Sequence, residues 1–230
     1  MMVPKIEKTT LRERVYTPLR EMIIAGEILP GHTITLRDLA EKFDVSVAPV
    51  REALLQLECE RVVVRRSNRD YRINTLSPEQ FEEIYKIRRI VEPILIEQAC
   101  QNRNDAVLAD VERALRQMQD AERNVKRYIF HNHEFHFRIY KEANMPILLE
   151  IVNGLWSRLG PYLSLNVKPE DIASTEQVHI DLLNAFRDCD PQVCTNCLLA
   201  DMDYSHAYLL PYILIGTVKT GGERGSAQNP

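Results

Sequence analysis

The chain has 230 residues, of which 45% are hydrophobic and 27% are charged, the balance of a globular protein with a substantial core. No apolar run reaches the roughly 18 residues of a membrane span, and the start has no apolar signal-peptide core, so we expect neither membrane insertion nor export. Five scattered cysteines do not resemble a disulfide framework and favour a reducing, cytoplasmic setting.

Three helices are predicted in the first third of the chain. In the first, apolar residues recur at helical spacing between Leu11 and Ile24, and a Pro-Gly pair at positions 30–31 ends the segment. The second is expected to begin at Thr35 and the third at Ser46, because both residues have hydroxyls that can cap a helix N-terminus. Each helix has an apolar stripe that a small shared core would bury.

A basic hairpin is predicted next, in the segment VVVRRSNRDYRIN. Two β-prone runs flank Ser67 and Asn68, and Asn accepts the left-handed conformation of a tight turn. Five arginines and one acid lie between Arg61 and Arg72, which indicates a contact with a polyanion; a solvated hairpin is the alternative. Helix, helix, turn, helix and hairpin in this order predict a winged helix-turn-helix over residues 1–76.

The rest of the chain predicts an all-α antiparallel bundle, so the fold class is mainly α. A capping box begins at Ser77, with Pro at the first helical position, and helical periodicity continues to about residue 215. About six helices with short connections are expected over a domain of residues 77–218, followed by a disordered tail at 219–230. Breaks are expected near residues 103–104, 144–146, 160–161, 168–169 and 190–191.

The segment PGHTITLRDLAEKFDVSVAPVREALLQLE, with the hexapeptide PVREAL in its third helix, resembles the DNA-binding head of GntR-family transcriptional regulators. The helical remainder is similar to the FCD ligand-binding domain of their FadR-type branch. This resemblance implies a homodimeric, ligand-responsive regulator of double-stranded DNA, a repressor released or modulated by a small organic acid. A metal-dependent hydrolase is the alternative, but an enzyme needs no such head, and no nucleophile and base are obviously set at reacting distance.

Eight residues are predicted to contact DNA. Arg51 lies in the first turns of the third helix, where a guanidinium reaches base edges or phosphates, and an ion pair with a nearby glutamate is the alternative. Val47 replaces the arginine that the family has after the serine, while Arg61 and Asp70 replace two family glycines, so we expect an operator unlike the common family site. The predicted set is Arg37, Ser46, Val47, Ala48, Arg51, Arg66, Asn68 and Arg69.

Polar residues crowd into the run HNHEFH at positions 131–136. The run misses the zinc-protease signature HExxH by one residue, because His133 and His136 are only three positions apart. Asn132 and His136 are four apart, on a helix face that is otherwise apolar, so they are expected to point into the bundle and to need partners there. His131 and His133 are expected to face solvent.

Metal-binding members of the family have Asp or Asn, three residues and then His on this helix, followed by two more histidines on later helices. The resemblance implies that Asn132, His136 and His179 are ligands here, and that Asp201 occupies the place of the last histidine. His206 is the alternative, but it lies about 140° round an ideal helix from Asp201. Two imidazoles, a carboxylate and an amide oxygen suit zinc, nickel or manganese. A hydrogen-bonded polar pocket without metal is the other interpretation.

Three further features concern the bundle. Arg88 matches a family arginine that faces the cavity and helps to hold acidic effectors, which implies an effector-binding role; an Arg88–Glu92 ion pair is the alternative. Cys194 and Cys197 form a CxxC pair without a second such pair, so they are interpreted as core or interface residues rather than zinc ligands. Trp156 is expected to pack in the core.

Overall fold

A computed structural model of the protein describes residues 10–121, 124–165 and 169–215. The expected tail, 219–230, lies outside these described residues. The described residues form a mainly helical structure with one small sheet, as predicted, and none of their helices is long and apolar enough to cross a membrane. The elements in chain order are α1 (Leu11–Ile24), β1 (Thr33–Thr35), α2 (Leu36–Lys42), α3 (Val47–Cys59), β2 (Val63–Arg65), β3 (Asp70–Ile73), α4 (Pro78–Asn102), α5 (Asp105–Gln119), α6 (Val125–Lys141), α7 (Pro146–Leu163), α8 (Pro169–Asp188) and α9 (Pro191–Ile215).

The head, from α1 to β3, is a winged helix-turn-helix. Thr35 caps α2 by accepting a bond from the backbone nitrogen of Asp38 at 3.1 Å, while Ser46 occupies the N-cap of α3 without a side-chain capping bond. The three strands form an antiparallel sheet in the order β1-β3-β2. β1 was not predicted, because a strand of three residues has too little alternation to be recognised. Apolar residues of all three helices and of the sheet share one buried cluster.

The wing turn, residues 66–69, differs from the predicted tight turn. Asn68 does not adopt the left-handed conformation, because the Ser67 hydroxyl closes the turn by bonding the Asp70 carboxylate at 2.7 Å, and the backbone nitrogen of Arg66 bonds the carbonyl of Asp70. The left-handed residue lies instead at Arg61, with φ of 61°, between α3 and β2. Arg61 is one of the two positions at which the family pattern has glycine. A positive φ at this position accounts for that glycine, because glycine adopts a positive φ without steric cost.

The bundle, from α4 to α9, contains six helices in the described residues, around one large apolar cluster. The break expected at 160–161 is wrong, since α7 continues through Pro161 to Leu163. Gly160 marks a close approach rather than an end, because a Cβ there would lie 2.6 Å from the Cα of Ile24 in α1. The break between α5 and α6, where Asn124 caps α6, was not predicted.

The head rests on the bundle through α1 and α7. Beyond the contact of Gly160 with α1, the Ser164 hydroxyl donates to the carbonyl of Gly26 at 3.2 Å. Gly26 has φ of 67°, and a Cβ on it would collide with the Ser164 side chain. The Tyr162 hydroxyl accepts a bond of 2.6 Å from the backbone nitrogen of Leu76, in the linker between head and bundle. The joint is therefore a packed contact with specific hydrogen bonds.

Candidate functional site

Three helices bring His136 of α6, His179 of α8 and Asp201 of α9 together, and we call these residues the His-His-Asp cluster. The two Nε2 atoms are 3.3 Å apart, and each lies 3.5 Å from an Asp201 carboxylate oxygen. Both histidines are buried, while the Asp201 side chain is 12% exposed. The cluster thus joins residues that are up to 65 positions apart in the sequence.

The protonation of the two rings suits ligation. His179 Nδ1 lies 2.8 Å from the Thr175 carbonyl, which requires a proton on Nδ1 and leaves the Nε2 lone pair for the cluster. Burial lowers the pKa of His136 well below its ordinary value, and the neighbouring His179, Arg88 and His133 lower it further. His136 is therefore neutral near pH 7. Its Nδ1 is buried and has no hydrogen-bond partner among the described residues.

The dimensions of the cluster fit a metal ion. In a tetrahedral site with bonds of about 2.0–2.1 Å, neighbouring ligand atoms are roughly 3.3–3.4 Å apart. The two Nε2 atoms are 3.3 Å apart, and those of His136 and His179 lie 3.5 Å from Oδ2 and from Oδ1 of Asp201, respectively, so the carboxylate faces the two rings through different oxygens. Asn132 lines the same cavity as His179 and Asp201, and its buried Oδ1 has no hydrogen-bond partner among the described residues. The cluster and Asn132 could therefore hold one divalent ion.

His206, the alternative to Asp201, lies outside the cluster. Its Nε2 is 2.9 Å from a carboxylate oxygen of Glu82, and its ring packs against Phe81 and Tyr85. The structure therefore brings Asp201, and not His206, to the two other histidines, although ligation itself stays a prediction.

The expectation that His131 and His133 face solvent is wrong. The His133 side chain is only 12% exposed, and its ring stacks on Phe137 with centroids 4.1 Å apart. Burial, with the nearby Arg20 of α1, lowers the pKa of His133 to about 3. His131 is half-buried beside α1 as well. The cause is the head, because α1 covers the side of α6 that would otherwise be the outer face of the bundle.

A cavity in the bundle, which we call the bundle cavity, adjoins the cluster and has a volume of about 60 Å³. Its walls are mostly aromatic and aliphatic, and its charged side chains are Arg88 and Asp201, beside the imidazole of His179. A small ligand with an apolar body and one anionic group matches such a lining. The lining includes Arg88, Asn132, Trp156, His179 and Asp201.

Arg88 forms the ion pair that was the alternative and also lines the bundle cavity, while its effector-binding role stays a prediction. It pairs with the fully buried Glu92, with Nε 2.5 Å from Oε1, and it also lines the bundle cavity. Glu92 accepts two further bonds, from the Tyr140 hydroxyl at 2.6 Å and from Trp156 Nε1 at 3.0 Å. The Arg88 guanidinium lies over the Trp156 ring, 4.6 Å from its centroid. Glu92 is thus the centre of a buried polar network against the cavity wall.

Of this network, only the Arg88–Glu92 pair was anticipated from the sequence, and the bonds from Tyr140 and Trp156 were not. Trp156 was expected to be core, and it is buried, but it also forms part of the cavity wall and bonds Glu92. Tyr140 could have been found, because it lies four residues after His136 on the same helix face. Cys194 is buried with its Sγ 3.4 Å from that of Cys100 in α4.

The predicted DNA-contacting residues lie on one exposed region of the head. Ser46, Val47 and Ala48, at the start of α3, are exposed, and so is Arg37 on α2. The wing-turn residues Arg66, Asn68 and Arg69 are exposed as well. Arg51 donates to the carbonyl of Asn68 at 3.1 Å, and this contact joins α3 to the wing in place of the ion pair that was the alternative.

Comparison with known proteins places this architecture in a family. Residues 11–73 match the bacterial regulatory proteins of the gntR family, and residues 83–203 match the FCD domain. The HTH-type transcriptional regulator McbR of Escherichia coli (strain K12) is 30% identical over 211 residues, which cover 89% of this chain and 95% of that protein. A solved structure of E. coli McbR/YncC has a TM-score of 0.84 and 28% identity, covering 89% of this chain and 99% of that one.

A further relative is the gluconate operon transcriptional repressor of Bacillus licheniformis, 27% identical over 157 residues, which cover 67% of this chain and 64% of that protein. These relatives are transcriptional regulators rather than enzymes, so the hydrolase alternative has no support among them. The winged head and the helical bundle both have their counterparts in one known architecture. The chain therefore belongs to the GntR family of bacterial transcriptional regulators, and its bundle is an FCD domain.

Proposed function

We propose that this regulator is a repressor that binds operator DNA as a homodimer in the cytoplasm and is released by a small carboxylate bound in the bundle cavity. The observation that carries the proposal is the His-His-Asp cluster beside Arg88 in a buried cavity, beneath a head that exposes its arginines. The sign of regulation is supported by the Bacillus licheniformis relative, which is named a repressor.

The head supports sequence-specific binding. α3 begins with three exposed residues and would enter the major groove, while Arg66 and Arg69 of the wing turn would lie against phosphates. Val47 offers a methyl-sized apolar contact where the family has arginine, so we expect a different base preference at that position. Two separate apolar clusters support a boundary near residue 76 between the two domains.

The dimer would form through α4 and α7, which pack against each other. Ile84 and Ile87 of α4 line one cavity together with Leu155 of α7, so these sides of the two helices meet. Isoleucines continue along the same sides and are unusually exposed for their size: Ile90 at 67%, Ile94 at 43%, Ile147 at 77% and Ile151 at 48%. A second copy of the chain is the proposed occupant, since a twofold operator requires two heads. Ile90→Glu with Ile147→Glu should give a monomer in sedimentation experiments.

A divalent ion held by Asn132, His136, His179 and Asp201 would supply a positive charge for a carboxylate in the cavity. Zinc, nickel and manganese all suit this donor set. Asp201→Ala should reduce metal retention more than His206→Ala, because only Asp201 adjoins the two other histidines. Elemental analysis of both variants after identical purification measures this. Equal retention would remove Asp201 from the site.

The central experiment is a DNA titration with and without a panel of small organic acids. His136→Ala and His179→Ala should leave DNA affinity largely intact and abolish its response to the acid, because both residues are remote from the head surface that binds DNA. His206→Ala is the matched control and should keep the response. If the two cluster variants stay folded but lose DNA binding, the cavity is not a separate sensing site and the proposal is wrong.

A further inference from the structure

Three consecutive residues of α7 face three different parts of the protein. Trp156 forms part of the wall of the bundle cavity, Ser157 bonds Arg20 of α1, and Arg158 bonds the end of the recognition helix α3. Successive residues of a helix point about 100° apart, so one short segment can contact all three. We propose that residues 153–158, here called the α7 segment, couple the cavity to the recognition helix through Arg20. This inference deepens the proposed function and rests on it.

On the cavity side, Trp156 contacts Arg88, which lines the cavity, and Glu92, which is buried behind the wall. Its Nε1 donates to Glu92 at 3.0 Å, and the Arg88 guanidinium lies over its ring. The ring of His136, a member of the His-His-Asp cluster, lies 5.3 Å from the Trp156 ring. A carboxylate or a metal ion in the cavity would change the position or the charge of these neighbours. Trp156 lines the cavity together with Leu159 and Leu163 of α7, and it is the one of the three that bonds the charged network.

On the head side, Arg20 makes two short bonds to the α7 segment. Its Nε donates to the Ser157 hydroxyl at 2.9 Å, and its Nη2 donates to the Asn153 carbonyl at 2.7 Å. The same carbonyl accepts the Ser157 hydroxyl at 2.8 Å, so the three groups form a closed triangle. Ser157 is fully buried and the Arg20 side chain is 13% exposed, which keeps water from competing for these bonds.

From Arg20 and Arg158 the connection reaches the recognition helix. Arg158 Nε donates to the carbonyl of Glu60, the C-cap of α3, at 3.3 Å. The Glu60 carboxylate lies 4.0 Å from Arg20 Nε and accepts the Tyr16 hydroxyl at 2.7 Å. Arg20 and Arg158 therefore both contact Glu60, the residue at the C-terminal end of α3. A small rotation of α7 about its axis would move that end of the helix.

Coupling between two sites is reciprocal, so DNA bound to the head must also change the surroundings of Trp156 in the cavity wall. Trp156 is the single tryptophan of the chain, and its emission therefore reports the cavity wall alone. The test needs no effector. A dye-labelled duplex, selected by the purified protein from a random pool, is titrated against the full-length protein. Anisotropy of the dye measures DNA binding, and the emission of Trp156 is recorded in the same samples.

We expect the emission of the unmodified protein to shift on saturation with DNA. In Arg20→Met the anisotropy should still show binding, but the emission shift should be lost, because the stem packs as before while the guanidinium bonds are gone. Ser157→Ala, which removes two bonds of the triangle and keeps the one from Arg20 Nη2 to the Asn153 carbonyl, should reduce the shift. Arg14→Met is the matched control, an exposed arginine of the same helix, and should keep the full shift.

Two results would overturn the proposal. One is an unmodified protein that binds the duplex without any change in emission; the other is an Arg20→Met protein whose shift at saturation equals that of the unmodified protein. Failure of the unmodified protein to bind any selected duplex is a different outcome, which removes the proposed DNA-binding function and the coupling with it. Emission of the DNA-free variants, matched to that of the unmodified protein, verifies that the cavity wall is intact.

Discussion

The head and the bundle differ in how they hold their functional residues. In the head, the predicted DNA contacts are long or small side chains on the surface, such as Arg66 and Ser46, and they contribute little to the folded core. In the bundle, His136 and Glu92 are fully buried, and their neighbours come from several helices. We therefore expect binding and folding to be separable in the head and linked in the bundle.

The largest effect is expected at the centre of the buried network. Glu92→Gln keeps the shape of the side chain but leaves Arg88 without its counter-charge, so the free energy of unfolding should fall by about 3–5 kcal/mol. Chemical denaturation measures the loss. The control is Asp203→Asn, which breaks an exposed pair with Arg89 and should have little effect. Equal stability of the two variants would show that burial does not make the Arg88–Glu92 pair more important for folding than an exposed pair of the same bundle.

In the head, Arg51→Ala should change binding rather than folding. Loss of a guanidinium near base edges should weaken operator binding by about 1–3 kcal/mol and relax base preference at one position. Competition binding against a set of single-base operator variants measures both effects, beside the unfolding midpoint. Arg113→Ala, which removes the same charge from the surface of α5, is the control. A large drop in the unfolding midpoint of Arg51→Ala would contradict the separation of binding from folding.

Stability should depend on pH through His133. The pKa of His133 in the folded protein is about 3, because burial disfavours the charged ring and Arg20 adds repulsion. Between that value and about 6.5 the unfolded chain takes up the proton while the folded chain does not. The free energy of unfolding should therefore fall as pH drops below 6.5, by at most about 1.4 kcal/mol per pH unit from this group.

The variant His133→Phe should flatten that dependence, because its ring retains the stacking on Phe137 and cannot bind a proton. Denaturation at a series of pH values between neutral and acid compares the two slopes. Identical slopes would show that His133 is reached by protons in the folded state, and that α1 does not cover it in solution.

The smallest effect is expected at the wing turn. Replacing Arg66 and Arg69 with Gln should lower DNA affinity for all sequences alike and reduce the salt dependence of binding by about one unit of slope per lost phosphate contact. Titrations at several salt concentrations give the slope. A change in base preference without a change in slope would place these arginines in a groove and not on the backbone.

Local signals explain why most of the fold could be predicted. The three head helices and the beginning of α4 follow from caps and apolar spacing within a few residues, as at Thr35 and Ser77. The failures involve distant contacts. Gly160 was interpreted as a break, although it makes room for α1, and His133 was assigned to solvent, although α1 covers it. Neither contact leaves a periodic pattern in the sequence.

The candidate site was reached only in part by reasoning from the residues. The inward direction of Asn132 and His136 follows from their spacing on an apolar face. The positions of His179 and Asp201 came from the family resemblance, because no local pattern joins α8 and α9 to α6. The role of Glu92 was missed, since its partners Tyr140 and Trp156 lie 48 and 64 positions away.

The exposed start of α3 has a consequence for the history of such regulators. Ser46, Val47 and Ala48 are exposed and do not pack in the core, whereas Pro49 and Val50, directly after them, are buried. A gene duplicate could exchange these three residues one at a time and acquire a new operator without passing through an unfolded intermediate. Under the proposed function, the bundle would be inherited unchanged, so that one ligand could come to control a second set of genes.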